Sequence, residues 1–303
     1  MSASDRQEQA ALVALLRDRS AERRWPEVTA EILEAGSARE LWLRRAPATL
    51  VGVPGEPEPL TLAAQQIRRW AERGWKLTTI LDRDYPARLR EIHQAPPFLF
   101  SRGQLRPDDT AVSVVGSRNA SERGLAIAAG VARELVARRV TVVAGLARGI
   151  DTAAHRMALD AGGRTVGVIA TGIGRVYPPE NVALHEEIAT RGLLLSQFWP
   201  EAPPQKHTFL MRNATMSGYG LATVVVEAGE KSGARVQARL AVEHGRPVIL
   251  TDLVVQRNEW ARALLRRPGV YPADGLREVA AIVDQLIAER ASVGAALDRL
   301  ASA

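Results

Sequence analysis

Apolar residues recur every three or four positions through the first quarter of the chain, which is the spacing of amphipathic helices. These stripes cover residues 10–16, 28–33 and 41–43. A further helix is predicted over residues 60–73, after a polar, proline-containing segment at residues 52–59. We therefore expect a small helical N-terminal domain over residues 1–75.

From residue 110 onward, short β-branched runs alternate with helical patterns. The predicted strands are 111–115, 140–144, 165–170, 193–197, 222–227 and 247–250. The predicted helices are 121–138, 152–161, 182–190, 212–216 and 235–244. Strands that are apolar throughout and are separated by amphipathic helices are typical of a parallel sheet covered on both faces. The pattern predicts an α/β fold with a doubly wound parallel sheet.

Two flanking segments complete the organisation. A proline-rich connector over residues 75–109 holds a short helix at 88–92 and an apolar run at 98–100 that fits an edge strand. Apolar helical spacing resumes after residue 274. We assign residues 76–272 to the α/β domain and residues 273–303 to a C-terminal helical tail.

The composition excludes several classes of protein. The chain contains no cysteine, so disulfides and thiolate chemistry do not apply and a reducing compartment is expected. The charged N-terminus lacks the apolar core of a signal peptide, and no apolar run reaches the roughly 18 residues that span a bilayer. We expect a cytoplasmic protein without a membrane partner.

The net charge of +6 and the isoelectric point near 10.2 suit a partner with a phosphate backbone. Only three of the 40 basic residues are lysines, namely Lys76, Lys206 and Lys231. An arginine excess of this kind also accompanies GC-rich codon usage, since alanine and glycine are abundant as well. The charge alone therefore supports nucleic-acid binding only weakly.

Two predicted strands end in glycine-centred turns that open helices. The first turn reads Gly116-Ser117-Arg118, and the second reads Gly145-Leu146-Ala147-Arg148-Gly149. Backbone N–H groups at such a helix start bind anions, and an arginine adds two further phosphate donors. The turns therefore predict a phosphate site, although such a strand-to-helix turn is also found in a purely structural role.

Two common nucleotide-binding motifs are absent from the sequence. The next glycine after Gly116 is Gly124, so the dinucleotide fingerprint is absent. Lys231-Ser232 resembles the end of a P-loop, but Val226 stands where its first glycine belongs. These departures disfavour hydride transfer and ATP hydrolysis.

Asp151 and His155 lie one helical turn apart and, with Ser117, could form a nucleophilic triad. No nucleophile-elbow pattern accompanies them, so we expect Asp151 to cap its helix and His155 to bond back to it. Five scattered histidines without cysteine give no metal-ligand spacing. We expect no catalytic residue, no metal and no cofactor.

Residues 205–213 form a polar, basic segment, predicted as a loop, with one aromatic ring at its centre. Lys206 could pair with a phosphate while Phe209 offers a stacking face, the combination that holds single strands. Phe209 could equally fill the core beneath the loop. Small residues could add donors around the same crevice, because ligands collect at the carboxyl ends of parallel strands. These are Ser217, Gly218, Ser232 and Gly233.

Five segments in combination resemble the DNA-processing protein A (DprA/Smf) family. They are VVGSR (114–118), VVAGLARGIDTAAH (142–155), AGGRTVGVIATGIGRVYPPEN (161–181), RN with SG (212–213 and 217–218), and VVVEAGEKSGARVQA (224–238). The likeness covers about residues 85–250 and extends more faintly to the helical N-terminus.

The resemblance implies an extended Rossmann-like fold that binds single-stranded DNA, forms a homodimer and carries out no chemistry of its own. It further implies delivery of that DNA to a RecA-type recombinase during natural transformation. In the family's DNA pocket, Arg118, Lys206 and Phe209 take the positions of the binding arginine, lysine and phenylalanine. Arg212 and Asn213 match the start of an Arg-Asn-Arg pattern.

This chain departs from the family pattern at several positions. Ala214 replaces the second arginine of that pattern, Ala234 and Gln237 replace a small polar residue and a threonine, and no winged-helix pattern follows the α/β domain. Two alternatives to the transformation role stay open: an adaptor or sensor in phage defence, and a protein that binds or hydrolyses a small nucleotide. The glutamate signature of related phosphoribohydrolases is missing after Glu227.

Overall fold

The computed structural model describes residues 3–18, 25–45 and 58–301. Four helices precede the sheet, as the apolar stripes predict: α1 (Ala3–Arg17), α2 (Trp25–Ala35), α3 (Ala38–Arg45) and α4 (Pro59–Glu72). The stripes face inward, since Leu12, Ile32 and Leu41 are all buried. The helical N-terminal region is therefore confirmed. Residues 52–57 of the predicted polar segment lie outside the described residues.

Nine strands of the described chain form one sheet. They are β1 (Lys76–Thr79), β2 (Phe98–Gly103), β3 (Ala111–Gly116), β4 (Thr141–Ala144), β5 (Thr165–Val168), β6 (Leu193–Ser196), β7 (Ala222–Glu227), β8 (Val248–Thr251) and β9 (Val270–Ala273). Their order is β1-β2-β6-β5-β4-β3-β7-β8-β9. All neighbouring strands in the part of this order that runs β6-β5-β4-β3-β7-β8-β9 are parallel, which confirms the doubly wound α/β fold.

Two strands widen this sheet on one side. β2 pairs antiparallel with both β6 and β1, so the predicted edge strand lies inside the sheet and β1 is the edge. The prediction for residues 98–100 is wrong in this respect, because the four-residue β1 was not recognised. β9 at the opposite edge was also not predicted.

Helices join and cover the strands. They are α5 (Ala87–Arg90), α6 (Glu122–Ala137), α7 (Ile150–Asp160), α8 (Val182–Arg191), α9 (Lys206–Tyr219), α10 (Gly233–Glu243), α11 (Asp252–Arg257), α12 (Glu259–Leu264) and α13 (Leu276–Ala301). The predicted basic loop at 205–213 is wrong, because α9 begins at Lys206. The predicted tail is one continuous helix, α13.

The side chains of the strands pack into two large hydrophobic clusters, which lie on opposite faces of the sheet at β3. On β3, Val112 and Val114 face a cluster formed with α6, α7 and α13, whereas Val115 faces a second cluster that includes α9 and α10. Each fully buried valine contributes about 1.5–3 kcal/mol to the free energy of unfolding. Ser113 lies on the second face, where its hydroxyl donates to Met216 O at 3.2 Å and is satisfied.

Successive strands are added first on one side of β3 and then on its other side, so a switch point lies between β3 and β7. The strands β4, β5 and β6 lie on one side of β3, and β7, β8 and β9 lie on the other. In open parallel sheets the ends of the two strands at such a switch point diverge and leave a crevice for a ligand. The fold therefore places a crevice beyond the carboxyl ends of β3 and β7. Among the described helices, none is long and apolar enough to cross a membrane.

Candidate nucleic-acid interface

A cavity of about 540 Å³ occupies this switch point. Four elements supply its walls: the loop after β3, the turn between β4 and α7, the segment that opens α10, and the inner face of α9. Eight of the predicted residues line it: Gly116, Ser117, Arg118, Phe209, Arg212, Asn213, Ser232 and Gly233. The structure thus brings together residues that lie more than 100 positions apart in the sequence.

The loop after β3 is fixed by its neighbours. A Cβ on Gly116 would lie 2.5 Å from the Ile150 side chain and 2.8 Å from Glu227 O, so only glycine fits. Ser117 N donates to Glu227 O at 2.7 Å, and Ser117 O accepts from Ile150 N at 3.2 Å. This anchoring leaves the next side chain, Arg118, exposed at the mouth of the crevice.

The N-terminus of α6 already holds an anion from the protein itself. The carboxylate of Glu227, which is 8% exposed, accepts from Ser121 N at 3.0 Å and from Ser121 Oγ at 2.8 Å. A carboxylate in this position complements the positive end of the helix. Glu227 therefore occupies the N–H of the N-cap residue of α6, and phosphate binding at the first turn stays a prediction.

The second turn is occupied in the same way. Asp151 Oδ2 accepts from Gly145 N at 2.9 Å and from Ala147 N at 3.4 Å, and Asp151 is 5% exposed. Asp151 lies in the first turn of α7, whose N-cap is Gly149, so the predicted capping role is wrong. Burial raises the pKa of the Asp151 carboxyl, and nearby Arg212 together with the two amide donors opposes that rise.

Arg212 is a structural residue of the crevice floor. It is 6% exposed, and its Nη1 donates to Gly145 O at 2.7 Å and to Val168 O at 2.9 Å, which ties the ends of β4 and β5 together. Its Nε donates to Asn213 Oδ1 at 3.2 Å. Burial lowers the pKa of the guanidinium, and Asp151 opposes this. Arg212 therefore has few donors left for a ligand.

His155 lies beneath this floor and is fully buried. Its Nδ1 donates at 2.6 Å to Thr165 Oγ1, which itself donates to Val142 O. The predicted bond back to Asp151 is wrong. Burial lowers the pKa of His155 to about 3, so the ring is neutral at physiological pH.

Phe209 lies one turn into α9 and is half-buried. The guanidinium carbon of Arg118 lies 5.2 Å from its ring centroid, a cation–π distance. Tyr177, which is 38% exposed, makes an edge-type contact with the same ring at 5.7 Å between centroids. Lys206 is exposed at the first turn of α9, three residues before Phe209, and does not line the cavity.

The opposite wall is the start of α10. Ser232 caps this helix by accepting from Ala234 N at 3.2 Å, and Lys231 precedes it, exposed and lining the cavity. Sequence reasoning missed Lys231 because it was weighed only against the P-loop spacing. Its place a few residues after β7, at the switch point, was the signal that could have identified it. Neither Lys231 nor Arg118 forms an ion pair within the described part of the chain.

Besides Lys206, five predicted residues lie away from the main cavity. Arg148 is 3.4 Å from Glu180 and lines a smaller neighbouring cavity with Gly145. A Cβ on Gly149 would collide with the carbonyl oxygen of Ser117. Ser217 Oγ lies 2.9 Å from His244 Nδ1, and a Cβ on Gly218 would press on Leu89 and Ile92. The expected contribution of Ser217 and Gly218 to the crevice is wrong.

The electrostatics of the crevice follow from these contacts. The carboxylates of Glu227 and Asp151 accept from the N–H groups of Ser121, Gly145 and Ala147, whereas Arg118 and Lys231 present positive charge to solvent. A polyanion in the crevice would therefore meet exposed side-chain cations beside an aromatic ring.

Comparison with known proteins supplies an independent line of evidence. Residues 76–285 match the model of the family described as DNA recombination-mediator protein A. The chain is 37% identical over 192 residues to DNA processing protein DprA of Bacillus subtilis, and this match covers 63% of each chain. It is 36% identical over 267 residues to a putative DprA of Mycobacterium tuberculosis, covering 82% of this chain and 69% of that relative.

Solved structures agree on the fold. The crystal structure of DprA from Streptococcus pneumoniae superposes with a TM-score of 0.63 at 28% identity, covering 92% of this chain and 93% of that one. DprA of Helicobacter pylori, whose structure concerns its mode of binding single-stranded DNA, superposes with a TM-score of 0.62 at 22% identity. That match covers 71% of this chain and 96% of the other and shows the fold alone.

Proposed function

The chain belongs to the DNA recombination-mediator protein A family, and on this premise we propose that it binds single-stranded DNA in the crevice between β3 and β7. One observation carries the proposal: the Arg118 guanidinium lies 5.2 Å from the centre of the Phe209 ring, at the mouth of a cavity that Lys231 also lines. Cations that track a backbone and a ring on which a base stacks are the two components of single-strand binding.

A single strand fits this arrangement better than a duplex. Phe209 is half-buried within the cavity wall, so a base must leave its stack to reach the ring. A base in a duplex is already stacked on both faces and exposes only its edges in the grooves. The bases of a single strand do not first have to be unpaired and unstacked from a duplex, which favours single-stranded DNA. Because a ring stacks on any base, the binding is tolerant of sequence.

We further propose that the crevice binds without chemistry. A hydrolase for nucleotides would need a carboxylate aimed at the sugar, and the two carboxylates nearest the cavity are engaged elsewhere. Asp151 accepts backbone N–H groups, and Glu227 accepts from Ser121. Release of free base from a nucleoside monophosphate would contradict this proposal.

Membership of the family supports three proposals about the cell: a cytoplasmic location, a homodimer, and protection of single-stranded DNA with loading of a RecA-type recombinase during DNA uptake or recombination. Light scattering of the purified chain tests the dimer. A strand-exchange assay on DNA coated with single-strand binding protein tests recombinase loading. No stimulation of strand exchange would favour an adaptor role, for which gene neighbourhood in a defence locus is the discriminating observation.

The binding proposal is tested by fluorescence anisotropy with a labelled oligonucleotide, its duplex and AMP at several salt concentrations. We expect tight binding of the single strand, weaker binding of the duplex and none of AMP. Arg118→Ala and Lys206→Ala should each weaken binding and make the salt dependence shallower, since each removes one phosphate contact. Arg267→Ala, which lies just before the edge strand β9 and away from the crevice, is the charge-matched control. Equal affinity of Arg118→Ala and the parent chain would contradict the proposal.

A further inference from the structure

A second cavity of about 210 Å³ adjoins the main one. Arg118, Ala147 and Phe209 line both cavities, so the Arg118–Phe209 pair forms a ridge between them. On the far side of this ridge, Tyr177 leads the chain segment that closes the smaller cavity. The binding proposed above uses the main cavity alone, although the predicted residues Gly145 and Arg148 line the smaller one.

The walls of the smaller cavity suit a flat, neutral ring. Tyr177 and the two following residues, Pro178 and Pro179, supply apolar surface. Beyond the ridge residue Arg118, its lining cation is Arg148, which is partly neutralised by Glu180 at 3.4 Å, with both side chains about half exposed. A phosphate is better served on the other side of the ridge, where Lys231 has no ion-pair partner within the described residues.

The size of the cavity points the same way. Pockets for whole small molecules measure roughly 300–1,000 Å³, so the main cavity falls inside that range and the smaller one below it. The smaller cavity therefore takes one part of a ligand whose remainder lies elsewhere. The ridge that it shares with the main cavity makes that remainder the chain bound there.

The aromatic geometry supplies the stacking surface. Tyr177 and Phe209 are inclined at 66° with centroids 5.7 Å apart, so the two rings are not stacked on each other. At 38% exposure Tyr177 retains surface that a base can cover. A base in the smaller cavity and a base at Phe209 would lie on two sides of one ridge.

We propose that the smaller cavity is a second nucleotide subsite, in which the base next to the one at Phe209 stacks on Tyr177. The proposal rests on the single-strand binding proposed above. A strand that crosses the ridge places one phosphate at Arg118 and turns successive bases to opposite sides. Tyr177 thereby adds a second stacked nucleotide to the one at Phe209.

The first test is photocrosslinking of the full chain to an oligo(dT) that contains 5-iodouracil, with the crosslinked peptides identified by mass spectrometry. We expect crosslinks to the peptides of both Phe209 and Tyr177. Crosslinks to the Phe209 peptide without the Tyr177 peptide would overturn the second subsite. This readout needs no variant and is independent of any effect on folding.

The second test compares Tyr177→Leu, which keeps apolar bulk but removes the ring, with the matched control Tyr177→Phe. Because stacking of one base is lost, Tyr177→Leu should weaken binding of oligo(dT) about five- to 150-fold with an unchanged salt dependence. Tyr177→Phe should bind as the parent chain does. Parental affinity of Tyr177→Leu overturns the subsite, and if Arg118→Ala still loses affinity the proposed function stands. Failure of the parent chain to bind any single strand removes both.

Discussion

The contact between Arg118 and Phe209 predicts that the two side chains act as a unit in DNA binding. Arg118 is exposed on a loop, whereas Phe209 is half-buried on a helix. The ring therefore offers a fixed support, 5.2 Å from the guanidinium carbon, that holds an otherwise free cation at the mouth of the crevice. Removing the ring should cost both its own stacking and part of the contribution of Arg118.

The magnitudes follow from the exposure of the pair. A cation–π contact at an exposed site is worth about 0.5–1 kcal/mol. Loss of base stacking at Phe209→Ala costs about 1–3 kcal/mol of binding free energy. Loss of one phosphate contact at Arg118→Ala reduces the slope of log affinity against log salt by about 0.7. In the double variant, the loss should fall short of the sum of the single losses by about 0.5–1 kcal/mol, since the contact can be lost only once.

The assay is a double-mutant cycle with anisotropy titrations of one labelled oligo(dT) at a fixed, stated salt concentration. Residues that do not interact give sums that agree within about 0.3–0.5 kcal/mol. Phe209 with Arg267, which lies beside the edge strand β9 and outside the crevice, is the control pair and should be additive. Additivity of Arg118 and Phe209 to the same tolerance would refute the idea that the ring positions the guanidinium.

Three further predictions follow from the site. Lys231→Ala should weaken single-strand binding and reduce the salt slope by about 0.7, whereas Lys76→Ala, at the edge strand β1, should do neither in the same titration. Glu227→Gln should lower stability by about 1–2 kcal/mol, because two charge-assisted bonds to Ser121 become neutral, without weakening DNA binding; thermal melting and anisotropy check this. Stability should fall as pH drops below 6.5, by about 2 kcal/mol at pH 5, because unfolded His155 binds a proton that the folded state, with a pKa of about 3, does not. Urea unfolding of the parent chain and of His155→Asn at pH 7 and pH 5 measures that difference, and an equal pH slope in both would contradict the assignment.

The alternation of buried strands and amphipathic helices was sufficient to predict the doubly wound sheet, because each β-branched run such as Ala222–Glu227 is fully buried. The errors lie where local pattern is weak. β1 and β9 are four-residue strands that depend on neighbours far away in the sequence, and β9 contains Pro272. The sequence predicts a loop at the start of α9 because the first turn of that helix is polar. Solvent exposure of that turn, rather than irregular backbone, explains the polarity.

The site was predicted less completely, for a different reason. The residues that face the crevice could be identified because they follow strands whose ends meet at the switch point. What each turn binds could not, since Ser121 and its partner Glu227 are 106 positions apart and no local pattern links them. Likewise, the ring that supports Arg118 is on α9, 91 positions further along the chain.

Because Glu227 and Asp151 already occupy backbone donors at this site, the proposed binding of a polymer differs in kind from the binding of a dinucleotide. In a dinucleotide site, bare amides at a helix start grip one pyrophosphate in a fixed geometry. Here Ser121 N at the start of α6 and the N–H groups of Gly145 and Ala147 in the second turn already bind Glu227 and Asp151. Under the proposed function, the recognition groups are therefore the side chains of Arg118, Lys231 and Phe209. Side chains can follow a strand whose phosphates have no single position, and a ring accepts any base. Substituting Glu227 should therefore increase affinity for a free anion such as inorganic phosphate more than affinity for single-stranded DNA, and competition titrations of Glu227→Gln with phosphate would measure that shift.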